Sequence, residues 1–173
     1  MHERILIAGS GGQGILFIGK LLAQAALDTI SFITYFPAYG AEVRGGTCHC
    51  QVILSSDDIA SPTAETFDSM IIMNQQSADR FLGQLDKHGS AIINESLCHV
   101  DKHERYTYVR ATEIADQAGN PKAANLGMIG ALLAGKPLIP VETVEKALAM
   151  SLTGVKKALL DINLQAFHIG LES

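Results

Sequence analysis

Four glycines crowd into Gly9-Ser10-Gly11-Gly12-Gln13-Gly14, directly after the apolar run 5–8. The spacing Gly9-x-Gly11-x-x-Gly14 is that of the dinucleotide fingerprint, and it stands where a strand gives way to a helical pattern. Glycines permit positive φ and bring backbone N–H groups close to a ligand, while the start of the following helix favours an anion. A phosphate suits such a turn. A nicotinamide or flavin dinucleotide needs one thing more, an acid at the end of the second strand to bind the ribose hydroxyls. That strand ends Tyr35-Phe36-Pro37, and Asp28 lies before it on the helix side. The turn therefore reads as phosphate-accepting, as partner-facing, or as a tight bend serving helix–sheet packing alone. Gln13 adds an amide able to donate to a ligand or to bridge to a facing chain.

A second cluster, Pro37-Ala38-Tyr39-Gly40-Ala41-Glu42-Val43-Arg44-Gly45-Gly46, is poor in core formers and reads as a surface loop with a binding task. Arg44 offers a planar fork for a carboxylate or phosphate, and Gly45 and Gly46 let a backbone or ligand approach. A self-contained Glu42–Arg44 ion pair is the competing reading. In Cys48-His49-Cys50 both thiols face one side of a strand and the imidazole the other, so the three do not converge on a metal. Asn125 opens a helix of small residues, where it can meet a ligand or cap the turn. No His-Glu-x-x-His, nucleophile elbow or usefully spaced carboxylate pair is present, so no catalytic residue and no metal ligand is assigned.

The elements that must hold these residues follow from periodicity. A buried strand over 5–8, a helix over 15–27 and a strand over 30–36 give β-α-β. Residues 47–54 alternate, with Cys48, Cys50, Val52 and Leu54 on one face; a turn at 55–58 and a short returning strand at 59–60 suggest a hairpin. Further strands are expected over 70–73, 91–94 and 106–110. Helices are expected over 77–85, capped by Ser77 and stopped by Gly89, and then over 112–118, 122–134, 142–151 and 155–170. Ala124, Gly127, Gly130, Ala131 and Ala134 share one side of the fourth, which lets a neighbouring backbone come close. The expected fold is α/β: one domain over 1–173, a three-layer α/β/α sandwich on a mixed, mostly parallel sheet.

Composition excludes several classes. Forty-seven per cent hydrophobic residues with 18% charged is globular, and a formal net charge of −5 with no basic run argues against nucleic acid and against a basic membrane-binding segment. No apolar run reaches the ~18 residues of a membrane span. Three cysteines without framework spacing, and no signal-peptide pattern before the first strand, suggest the cytoplasm.

Taken together, the 9–14 and 37–46 segments resemble the gamma subunit (domain III) of the 2-oxoacid:ferredoxin oxidoreductases. Gly9-x-Gly11-Gly12-Gln13-Gly14, Pro37-x-Tyr39-Gly40-x-Glu42-x-Arg44-Gly45-Gly46, Ile53-Leu54-Ser55-x-x-x-Ile59 with Ser61-Pro62, Asn125-x-Gly127-x-x-Gly130 and Asn163-x-x-Ala166-Phe167-x-x-Gly170 follow its pattern in order. The stretch Met73-Asn74-Gln75-Gln76-Ser77 and the chain length look most like the 2-oxoglutarate type, beside pyruvate, branched-chain and indolepyruvate relatives. The resemblance implies a pyruvate-ferredoxin oxidoreductase domain III-like fold. It also implies a complex that oxidatively decarboxylates a 2-oxoacid with coenzyme A (CoA), forms acyl-CoA and CO2, and reduces ferredoxin. Thiamine diphosphate, Mg2+ and 4Fe-4S clusters would be carried by alpha, beta and, in some complexes, delta subunits; this chain has neither the Gly-Asp-Gly of a thiamine diphosphate motif nor a Cys-x-x-Cys run. On that resemblance Gly9, Gly11, Gly12, Gln13 and Gly14 line the assembled site or a subunit contact together with Tyr39, Gly40, Glu42, Arg44, Gly45, Gly46 and Asn125, with CoA phosphates as the small-molecule ligand. A stand-alone nucleotide-binding module and a pure scaffold are the alternatives.

Overall fold

The computed structural model describes residues 1–38 and 47–173, apart from the side chains of 155 and 156. The first strand, β1 (His2–Ser10), is apolar on both faces because both are covered: Ile5 and Ile7 point into one core, Leu6 and Ala8 into another. The chain turns at the glycines into α1 (Ile15–Ala26), then runs through β2 (Phe32–Ala38), β3 (Thr47–Ser55) and β4 (Phe67–Ile72). There follow α2 (Gln75–Phe81), β5 (Leu85–Asn94), β6 (Tyr106–Val109), α3 (Ala111–Gln117), α4 (Ala124–Gly135), α5 (Val141–Ser151) and α6 (Leu160–Leu171).

The strands form one sheet in the order β2-β3-β1-β4-β5-β6. Pairs β1–β4, β4–β5 and β5–β6 are parallel, whereas β3 runs antiparallel to both β1 and β2. One reversed strand thus separates two that point the same way. The alternation in β3 fits this place: Cys50, Val52 and Leu54 pack beneath α1, while His49 turns to the opposite face and meets Phe81. The layers are unequal. Helices α1, α3, α4, α5 and α6 share the larger core, and among the described residues α2 with the short turn after it covers the other.

Helix α4 lies within the larger core, with Asn125 to Leu133 all buried, so it shows no polar stripe. Its small residues serve close packing on α6. A Cβ on Gly130 would run into the Phe167 carbonyl oxygen, and one on Gly170 into the backbone of Gly127.

Four expectations need correction. No strand forms at 59–60; β3 already has β1 and β2 on its two edges, so no open edge is left for a returning strand. Helix α2 starts at Gln75 rather than 77, because Asn74 Oδ1 accepts the Ser77 N–H at 2.9 Å and caps it; the helix ends at Phe81 in a 3-10 turn, Leu82–Gln84. Gly89 does not stop that helix but sits inside β5, where a Cβ would press on the Phe67 carbonyl at 2.8 Å beside a register shift between β4 and β5. The last expected helix divides into a 3-10 turn, Gly154–Leu159, and α6. Among the described residues no helix is long and apolar enough to cross a membrane.

Candidate functional site

The Gly-rich turn sits at the carboxyl end of β1, beside the end of its parallel neighbour β4, where open α/β sheets place their ligands. Each buried feature of the turn has a steric cause. A Cβ on Gly9 would meet Gln13 Oε1 and Ile15 Cδ1, both at 2.6 Å, and Met73 Cβ at 2.9 Å. Gly12 and Gly14 adopt φ of +93° and +72°, the left-handed region that glycine enters without strain. Gly11 and Gly12 are exposed.

Gln13 folds inward. Its Oε1 accepts the Ser10 N–H at 2.7 Å, and its Nε2 reaches the Met73 carbonyl at 3.5 Å. The amide is therefore engaged within its own turn. Asn125 completes the brace from the far side: its Nδ2 donates to the carbonyls of Gln13 at 3.0 Å and Gly14 at 3.4 Å. The side chain is 4% exposed, and its Oδ1 has no partner among the described residues. Asn125 thus neither caps its own helix nor faces solvent; it holds the 9–14 turn.

Three residues outside the twelve expected at the site belong to the same brace. Asn74 Nδ2 donates to Ser10 Oγ while its Oδ1 caps α2, and buried Asn94 donates to the Met73 carbonyl at 3.1 Å. Ser10, in turn, is the register partner of Thr47. Thr47 is the first residue after the 39–46 loop, and Ala38, its last before, pairs with His49. The two motif loops therefore root on one edge of the sheet. Tyr39, Gly40, Glu42, Arg44, Gly45 and Gly46 themselves lie outside the described residues.

At that root the charges are local. Arg80 Nη1 donates to Thr47 Oγ1 at 2.6 Å, and its guanidinium lies over the Phe81 ring at 5.1 Å. The same ring tilts against His49 at 4.8 Å. Burial, followed by the charge of Arg80, holds the His49 imidazole below its ordinary pKa, so it is neutral at pH 7. Burial likewise pushes Cys50 up to about 12; its Sγ lies 3.6 Å from the Ile15 carbonyl, a core thiol behind α1. Cys48 is also raised, and His49 points to the opposite face, so the three form no ligand set.

Chemically, this edge can present main-chain donors. Helix α1 opens at Gly14 with no side-chain cap and no acid in its first turn. Among the described residues no cluster of three His, Cys, Asp or Glu side chains could hold a metal ion. A groove of ≈ 490 Å³ runs along α1 from Phe17 to Asp28 against α5, and none of the described motif residues lines it.

The family model of pyruvate ferredoxin/flavodoxin oxidoreductase matches residues 4–173. The chain belongs to this family. Within it, the chain is 37% identical over 172 residues to the ketoisovalerate oxidoreductase subunit VorA of Methanothermobacter marburgensis, covering 98% of this chain but 36% of that protein. The 2-oxoglutarate synthase subunit KorC of Methanocaldococcus jannaschii is 31% identical over 178 residues, 99% of this chain and 94% of KorC. Among solved family structures, the keto/oxoacid ferredoxin oxidoreductase gamma subunit of Geobacter sulfurreducens superposes with a TM-score of 0.84 at 26% identity, covering 98% and 96% of the two chains. The α/β fold on a mixed sheet is thus the fold of family gamma subunits.

Of the twelve residues expected at the site, the structure brings Gly9, Gly11, Gly12, Gln13, Gly14 and Asn125 to one place. Ser10, Asn74, Asn94, Thr47 and Arg80 were missed. Only Asn74 left a legible signal, a cap residue three before Ser77; the rest depend on strand register and on contacts distant in sequence.

Proposed function

We propose that the chain is the gamma subunit of a 2-oxoacid:ferredoxin oxidoreductase that decarboxylates 2-oxoglutarate with CoA and reduces ferredoxin, assembling with alpha and beta chains and, where present, a delta chain. The observation that carries the reading is the common root of the two motif segments, with Ser10 of the first paired to Thr47, the residue that follows the second. A ligand or partner seated on the first loop therefore lies beside the root of the second. The exposed Gly11 and Gly12, at the uncapped start of α1, suit the phosphates of CoA, while the turn's own carboxamides are occupied in holding it.

For the substrate, KorC supports 2-oxoglutarate, because the match runs along nearly the whole of both chains. A second reading has its own observation. VorA is more identical but matches over about a third of its length, which favours a branched-chain 2-oxoacid. The chain, assembled with its partner subunits, should reduce ferredoxin in a CoA-dependent reaction with 2-oxoglutarate in preference to 2-oxoisovalerate. The reverse preference replaces the first reading with the second. Failure to form any complex, with no CoA-dependent reduction, removes both.

A further inference from the structure

We infer that α2 is a bracket that fixes the spacing of the two loop roots, Ser10 and Thr47, with Asn74 and Arg80 as positioning residues. Asn74, at the start of the helix, holds Ser10 through its amide and the helix through its carbonyl oxygen. Arg80, in the last turn, holds Thr47 at 2.6 Å. Ser10 and Thr47 are themselves register partners. The contacts close a ring: the end of β1, the start of β3, and both ends of α2. The seven residues of α2 span about 10 Å, so one short rigid rod braces the roots of both loops.

The bracket is seated at several points. Phe81 is 4% exposed in the smaller core, its ring lies against His49 two residues into β3, and Arg80 covers that ring from outside. At the other end Gln75 Oε1 accepts the His99 N–H at 2.6 Å, which fastens the helix to the chain beyond β5. With α2 held at both ends, neither loop root can shift without straining contacts at the other. Groups held this way are pre-organised, and a ligand spanning both loops then loses less freedom on binding. That last step rests on the CoA reading above; the bracket itself does not.

The test uses Arg80→Ala and Asn74→Ala, with the milder Arg80→Lys and Asn74→Ser should either fail to assemble, and Lys146→Ala as a control. Lys146 pairs with Asp28 at an exposed site beyond the far end of α1 from the 9–14 turn. Hydrogen exchange is followed in the full chain, and KM for CoA and kcat in the assembled complex. Loss of Arg80 should speed exchange in the 9–17 peptide, beyond its own bonded partner Thr47. It should also raise KM for CoA about fivefold at nearly constant kcat, the equivalent of one ordinary hydrogen bond. The Asn74 variants should speed exchange at 47–50 in the same manner, and the control should change neither readout. Faster exchange confined to each variant's own contacts overturns the bracket. Faster exchange across both roots with an unchanged KM for CoA leaves the bracket standing and removes CoA from these loops.

Discussion

At the residue scale, Gly12 and Gly14 look equivalent in sequence and differ in surroundings. Both hold positive φ, but nothing lies within 4 Å of a Cβ on Gly12, whereas one on Gly14 would collide with the Asn125 amide. Gly12→Ala should therefore lose only the left-handed strain of about 1 kcal/mol, and Gly14→Ala about 2 kcal/mol or more. Urea melts of the two variants check the order; equal losses would remove Asn125 from the brace. His49 supplies a pH-dependent counterpart. Its imidazole is held below the ordinary value of about 6.5, so the unfolded chain takes up a proton first as pH falls. The stability it contributes is present above about pH 6.5 and drains away as pH drops toward the lower folded value. His49→Gln should flatten that part of the stability profile, measured by melts between pH 7.5 and 5.

Among the elements, α4 and α6 pack by omission of side chains. Gly127 and Gly130 of α4 face Gly170 and the Phe167 carbonyl of α6 at backbone distance. Gly170→Ala puts a methyl group against main chain, which cannot move like the end of a side chain; a loss of about 3 kcal/mol is expected in thermal or urea unfolding. This packing was legible, because small residues at helical spacing announce a close neighbour. The neighbour's identity was not, since pairing α4 with α6 is a tertiary outcome. The α2 region shows the opposite case. Ser77 looks like a cap and Gly89 like a stop, yet Asn74 is the better-placed acceptor and Gly89 answers to the next strand's carbonyl. Local propensity places an element there; which polar group meets which N–H depends on geometry that sequence spacing does not carry.

For the whole molecule, the parallel half of the sheet and its helices followed from periodicity, while the place of β3 did not. Its alternation says which residues share a face and nothing about insertion between β1 and β2. Likewise the brace between Asn125 and Gln13 joins residues 112 apart in sequence. At the opposite end of the sheet, Arg4 of β1 bonds Asp68 at 2.6 and 2.8 Å and reaches Asp86 at 3.4 Å, linking three neighbouring strands. Burial alone would raise the Asp68 carboxyl, but the bonds from Arg4 outweigh it and hold the group below its usual range. Stability from this link is present above about pH 4 and is lost as pH falls through the lower folded value. Arg4→Met should cost about 1 kcal/mol at pH 7 and shrink the acid-induced loss, read from denaturation at pH 7 and pH 3.

Strand β2 forms one border of the sheet, and it is a sticky one. Phe32 and Phe36 stand 38% and 43% exposed on it, and its outer row of main-chain groups has no partner strand among the described residues. Pro37 removes a single donor near its end. On the gamma-subunit reading proposed above, a cell making this polypeptide in excess of its companions would hold an orphan whose border strand can pair with its own kind. Balanced synthesis would then guard against aggregation as well as supply parts for assembly.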